Sequence, residues 1–115
     1  MPIEAISRQT AEHYQWGTGC DGWHLVKTPH LSVIEESMPP GTSEVRHSHA
    51  RARQFFYVLE GEFTMEVDRQ LLTLRAGEGL EIAPGQHHQA MNRGSVPVRF
   101  LVISQPPSHG DRVPA

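Results

Sequence analysis

Turn residues set the rhythm of this chain and limit what it can fold into. From Asp21 onward, short runs of β-branched, aromatic and aliphatic residues recur at roughly ten-residue spacing, and none keeps a helical period. The breaks are explicit: Thr28-Pro29, Met38-Pro39-Pro40-Gly41, Glu60-Gly61, Asp68-Arg69-Gln70 and Ala76-Gly77. Between them the pattern predicts nine strands, at 23–26, 31–34, 44–49, 54–59, 62–67, 71–74, 79–82, 87–91 and 96–103. The segment Glu62-Phe63-Thr64-Met65-Glu66-Val67 alternates cleanly, with Phe63, Met65 and Val67 on one face. Such a string of short strands reads as an all-β sandwich or barrel. Before it lies a weakly periodic N-terminal arm, residues 1–20, in which a short helix capped by Ser7 fits as far as Tyr14. The barrel spans 21–104, and Pro106-Pro107-Ser108-His109-Gly110 opens a polar tail, 105–115, expected to lie over a barrel edge or a partner subunit.

At 115 residues the chain has material for one core. Ten bases against 13 acids, a net charge of −3, leave no basic stripe for nucleic acid. The longest apolar run, Phe55 to Leu59, is far below the about 20 residues that a membrane span needs. Met1-Pro2-Ile3-Glu4-Ala5 does not begin like a signal peptide, and the lone Cys20 can form no intrachain disulfide, so a cytoplasmic location is expected. Without a CxxC pair, cysteine-based zinc knuckles are excluded.

Histidine is the residue that stands out, with eight in the chain. His47 and His49 are two apart, which in a strand puts both imidazoles on one face. Gln54 begins the next apolar strand, and His88 follows the Ala83-Pro84-Gly85 turn into another. Imidazoles converging from strands suit Zn, Fe, Ni or Mn, with the Gln54 amide oxygen as a fourth, neutral donor. On spacing alone, two polar residues at a strand end remain an alternative.

The glycines and prolines around these residues carry a resemblance. Gly41, five residues, His47-Ser48-His49, four residues, Gln54, six residues and Gly61 resemble the first motif of the cupin superfamily, G-x5-HxH-x4-E-x6-G, with Gln54 replacing the acid. Gly77, five residues, Ala83-Pro84-Gly85, two residues, His88, three residues and Asn92 resemble the second, G-x5-PxG-x2-H-x3-N, with Ala83 at the usual proline. The resemblance runs over residues 30–104 and implies a jelly-roll-like β-barrel, or double-stranded β-helix, holding one divalent metal ion (Fe, Ni, Mn, Cu or Zn) on His47, His49, Gln54 and His88. His87 rivals His88, and the motif register favours His88. The likeness also implies a homodimer paired through strand edges.

An amide in place of the carboxylate would make the donor set neutral, leaving the ion's full charge toward water or substrate and holding the ion less firmly. Gln54 could instead bond a metal-bound water. Phe56, Val58, Phe63, Met65, Met91 and Phe100 are the pocket-wall candidates, along with Val102, most of them expected to be core. Arg46, Arg51 and Arg53 form a basic rim that could steer a carboxylate, or simply a solvated loop. Glu44 should face solvent. Trp16 and Trp23 could cap the barrel or meet a partner, while His13, His24, His30 and His109 read as structural or surface groups. The expected function is a metal-dependent small-molecule enzyme, dioxygenase-like on family frequency. The alternatives are a non-catalytic small-molecule- or metal-binding module and a Zn-dependent isomerase, cyclase or lyase. The partner expected is a small molecule, not nucleic acid or membrane.

Overall fold

The computed structural model describes residues 3–115, and among these there is no helix. Eleven strands form two sheets: β1 (Glu12–Trp16), β2 (Cys20–Lys27), β3 (Ser32–Met38), β4 (His47–His49), β5 (Arg53–Glu60), β6 (Glu62–Val67), β7 (Gln70–Arg75), β8 (Gly79–Ile82), β9 (His88–Met91), β10 (Val98–Gln105) and β11 (Arg112–Pro114). One sheet runs β1-β2-β3-β10-β5-β8 and the other β11-β4-β9-β6-β7, with every named pairing antiparallel. The architecture is the expected all-β jelly-roll-like barrel.

Alternation decides what fills it. Along β10, Val98, Phe100, Val102 and Ser104 are buried, and along β5 the same holds for Gln54, Phe56 and Val58. Phe63 on β6 brings its ring to 4.3 Å from that of Phe100, and Met38, Met65 and Ile82 close the core around them. A fully buried side chain of this size contributes about 1.5–3 kcal/mol relative to its exposed state. The core aromatics are therefore the main anchor between the sheets. Backbone turns hold the register. Asp68 and Arg69 both take positive φ (47° and 73°), the mirror-image turn whose twist matches a two-residue hairpin between β6 and β7. At Gly61 φ is +85° and a Cβ would sit 2.6 Å from the Pro97 carbonyl oxygen, so only glycine fits. The motif residue Asn92 is buried with its amide donating to the Met38 and Val96 carbonyls and its oxygen accepting from Gly94 N–H.

Two strands lie outside the nine expected. The helix expected from Ser7 to Tyr14 is not formed: the Ser7 carbonyl accepts from the Thr10 and Ala11 amides in a single turn, and the chain then extends as β1. Isolated turns of helix are weak, whereas β1 gains a full ladder against β2 and turns Tyr14 and Trp16 inward. The tail is likewise drawn into a ladder, β11 pairing with β4.

Inside the barrel the Tyr14 hydroxyl donates to Glu36 Oε2 at 2.8 Å. Burial is the larger influence on Glu36, and its carboxyl is pushed up to about 7 despite that bond. An acid with a raised folded-state pKa holds its proton longer than the unfolded chain does, so its contribution is present at low pH and is lost as pH rises through 7. Thermal melts should therefore show Glu36→Gln gaining on the wild type between about pH 5 and 8. Parallel curves for the two proteins would remove Glu36 from the account.

Candidate metal centre

β4 and β9 lie side by side with His47 and His88 as direct cross-strand partners, and His49 shares their face two positions on. Ring centroids are 4.5 Å apart for His47 and His88, 4.8 Å for His47 and His49, and 5.8 Å for His49 and His88. One ring nitrogen from each lies within 4.8 Å of the others, and all three residues are buried. His88 belongs to this cluster; the adjacent His87 points away and is half-buried. The Gly85 amide donates to the His49 carbonyl at 2.8 Å, tying the turn before β9 directly to β4.

Every Nδ1 in the cluster is already engaged. His47 Nδ1 is 2.7 Å from the Val45 carbonyl, His49 Nδ1 is 2.8 Å from Asp111 Oδ1, and His88 Nδ1 is 3.0 Å from the Gln86 carbonyl. These oxygens can only accept, so each Nδ1 carries a hydrogen, and in a neutral imidazole so tethered the lone pair sits on Nε2, the tautomer a metal requires. Arg112 Nη2 comes within 3.2 Å of His47 Nδ1, but two donors cannot bond each other. Its bond is to the Val45 carbonyl at 3.1 Å. Burial, as the leading cause, holds His47 down at about 4 and His88 below the ordinary imidazole range, so both rings are neutral near pH 7.

Gln54 is buried on β5 and its Nε2 donates to Ser104 Oγ at 3.1 Å. Its Oε1 and the Nε2 of His88 are buried with no hydrogen-bond partner. Two orphaned acceptor atoms, beside two more imidazoles whose Nε2 is free to ligate, form a donor set that a divalent cation would satisfy. The residues fit such an ion, held by His47, His49 and His88 with Gln54 as the neutral oxygen donor.

Of the pocket-wall candidates, Phe56, Val58, Phe63, Met65 and Phe100 are core, and the Phe56 ring lies edge-on to His88 at 6.1 Å. Met91 faces the other way, because it is out of phase with His88 and Ala90 on β9, and it is half-buried. None of the six lines the cavity of about 780 Å³ beside the tail. Glu44 also departs from expectation. It is turned in, not out: Oε2 accepts from Ala90 N–H at 2.9 Å and Oε1 lies 3.9 Å from His47 Nδ1. The three residues before β4 leave the strand register, with only an isolated Ser43–Met91 bridge, which frees Glu44 to rotate. Burial pushes its carboxyl up to about 8. It stands behind His47, on the side away from Nε2. Cys20 is fully buried, and burial pushes its thiol up, so it stays protonated.

Asp111 is the residue that the sequence reading missed. Besides His49, it takes the Arg51 and Ala52 amides on Oδ2 at 3.0 and 2.9 Å. Burial opposes its charge, yet those three donors hold the carboxyl below its usual range. It lies 62 positions from His49 in a polar tail, outside both motifs, and no spacing marks it. An amide at this position would put its NH2 against either His49 or the two backbone donors. Asp111→Asn should therefore lower metal affinity by about 10–100-fold while the far-UV spectrum stays that of the wild type. Competition against a chelator measures it; unchanged affinity would reduce Asp111 to a tie for the tail.

The cupin domain profile matches residues 34–104. The uncharacterized protein MJ1618 of Methanocaldococcus jannaschii is 33% identical over 89 residues, 76% of this chain and 71% of its own. Tetracenomycin polyketide synthase protein TcmJ of Streptomyces glaucescens is 32% identical over 60% of this chain but only 46% of its own, so the match spans about half of that relative. In fold, the chain superposes on the polyketide cyclase RemF of Streptomyces resistomycificus with a TM-score of 0.85 at 18% identity, over 99% of this chain and 86% of that one. The two histidine motifs, the two-sheet barrel and the profile match agree: this chain belongs to the cupin family.

Proposed function

We propose that this chain is a metal-dependent enzyme acting on an oxygen-bearing small molecule, with dioxygenase chemistry as the first reading. The observation that carries it is the tethering of all three Nδ1 hydrogens in a buried cluster whose ring nitrogens come within 4.8 Å of one another, so that Nε2 is the atom left to ligate. A bound divalent ion would supply Lewis-acid polarisation of a substrate oxygen or, if redox-active, electron transfer to dioxygen. The protein's part is to keep the ligands neutral and oriented. Val45, Gln86 and Asp111 fix the rings, Ser104 fixes the Gln54 amide, and Phe56 shields His88 from water. Gln54 brings no charge, so a bound ion would keep its double charge toward an anionic or enolate-like substrate.

The similarity to the polyketide synthase protein and the polyketide cyclase favours a second reading, cyclisation of an oxygen-rich substrate without net oxidation. That chemistry needs a base on the substrate side. Glu44, the nearest carboxylate to His47, lies on the Nδ1 side of that ring, so the base would have to come from the substrate or from water.

Elemental analysis of protein prepared without chelators should find about one equivalent of metal in the wild type and almost none in His88→Ala, since losing one of three imidazoles breaks the set. Gln54→Ala should retain its histidines but hold the ion more weakly. Fe, Ni, Mn or Cu with oxygen uptake on an enolisable substrate supports the dioxygenase, and Zn without oxygen uptake supports the cyclase. A wild type that refuses added metal, with no rise in melting temperature, sinks both and leaves a non-catalytic binding module.

A further inference from the structure

The cavity of about 780 Å³ is lined by Tyr14, His24, Lys27 and Ile34 from the sheet and by Arg51 and His109 from the loop after β4 and the tail, and none of the clustered histidines is among its lining residues. That volume lies in the range that encloses a small organic molecule. Its lining is electrostatically one-sided: it contains Lys27, Arg51 and two imidazoles and no aspartate or glutamate. Glu12 pairs with Lys27 at 3.1 Å, yet is not itself among the lining residues. The three rim arginines then separate. Arg46 is held by Glu66 and Arg53 by Glu81, whereas the Arg51 guanidinium has no carboxylate partner among the described residues.

His24 adds a second unmet polar group, because its Nδ1 is buried without a hydrogen-bond partner. Burial first, then the Lys27 charge, holds this imidazole below its ordinary range, so near pH 7 it is a neutral partner for a ligand. The remaining wall combines Ile34 and three prolines with the hydroxyls of Thr28, Ser32 and Ser108. Ile34 lies beside Tyr14, whose hydroxyl is committed to Glu36, so it is the Tyr14 ring that is left for a ligand. One hydrogen-bonded link connects the cavity wall to the cluster. Arg51 follows His49 by two residues, and its amide donates to the carboxylate of Asp111 that orients His49.

We propose that this cavity binds a small organic anion, with its carboxylate or phenolate on Arg51 and a flat apolar body against Tyr14 and Ile34. The proposal deepens the reading above, since this ligand is the substrate class of the proposed enzyme. A guanidinium free of protein carboxylates presents its fork to two oxygens of a ligand. His24 and His109, which the spacing alone assigned to structure or surface, become part of a binding wall.

The test is calorimetric titration of benzoate into the metal-free protein and, separately, into the metal-loaded protein. Benzoate should bind both, and Arg51→Gln should weaken it by about tenfold or more, with Arg51→Lys in between. Benzamide, its neutral isostere, should bind the wild type no better than benzoate binds Arg51→Gln. The Arg51 side chain is exposed and only its backbone holds Asp111, so these variants keep the fold. Absence of benzoate binding, or equal affinity in wild type and Arg51→Gln, overturns the proposal. Inorganic phosphate competing as well as benzoate overturns the organic body. Because the first titration needs no metal, failure of the metal reading leaves its result standing, and metal binding without benzoate binding sinks this inference alone.

Discussion

Three buried imidazoles in one interior are expensive unless their polar atoms have partners, and the structure is organised around that cost. Each ring gives its Nδ1 hydrogen to an acceptor fixed elsewhere: two backbone carbonyls close in sequence and one carboxylate from the far end of the chain. What remains unmet is a set of acceptor lone pairs, His88 Nε2 and Gln54 Oε1 among them. A hydrophobic ligand cannot answer them. The donor set the barrel assembles is one that could hold a cation.

The rest of the fold keeps that arrangement rigid. β4 is only three residues long, and a strand so short would not hold two rings in place by itself. It is held on one side by β9 and on the other by β11, and the Gly85 turn is bonded to its last carbonyl. Beyond the cluster the phenylalanine core ties the two sheets together, and Phe56 belongs to both regions. Packing in the core thus sets the positions of Gln54 and His88, since both lie on strands whose inward neighbours are fully buried.

Neutral ligands and a cationic cavity wall are consistent with one another. Gln54 brings no negative charge beside the three histidines, and the Arg51 guanidinium has no carboxylate partner among the described residues of a chain whose net charge is −3. Both features support the proposed anionic small molecule over a cationic one. The carboxylates present, Glu44, Glu36 and Asp111, are each bonded to protein donors and lie behind or beside the cluster as structural groups. Their bonds make the interior hospitable to imidazole without lending charge to the ligand side.

The barrel and three of its site histidines were legible in the sequence for a physical reason: they are local. Strand alternation, positive-φ glycines and the two-residue spacing of His47 and His49 depend on neighbours a few positions away. The fixed offset from Gly77 through Gly85 to His88 carries the third ligand onto its strand for the same reason. Asp111, the inward turn of Glu44, the separation of Arg51 from its two paired neighbours, and the strands β1 and β11 were not legible. Each exists only because distant segments meet: His49 and Asp111 are 62 positions apart, and β11 forms only when β4 offers it an unpaired edge. A carboxylate in a polar tail looks the same in sequence whether it is solvated or orients a buried histidine. Only the folded barrel, by removing water from around it, gives it that role.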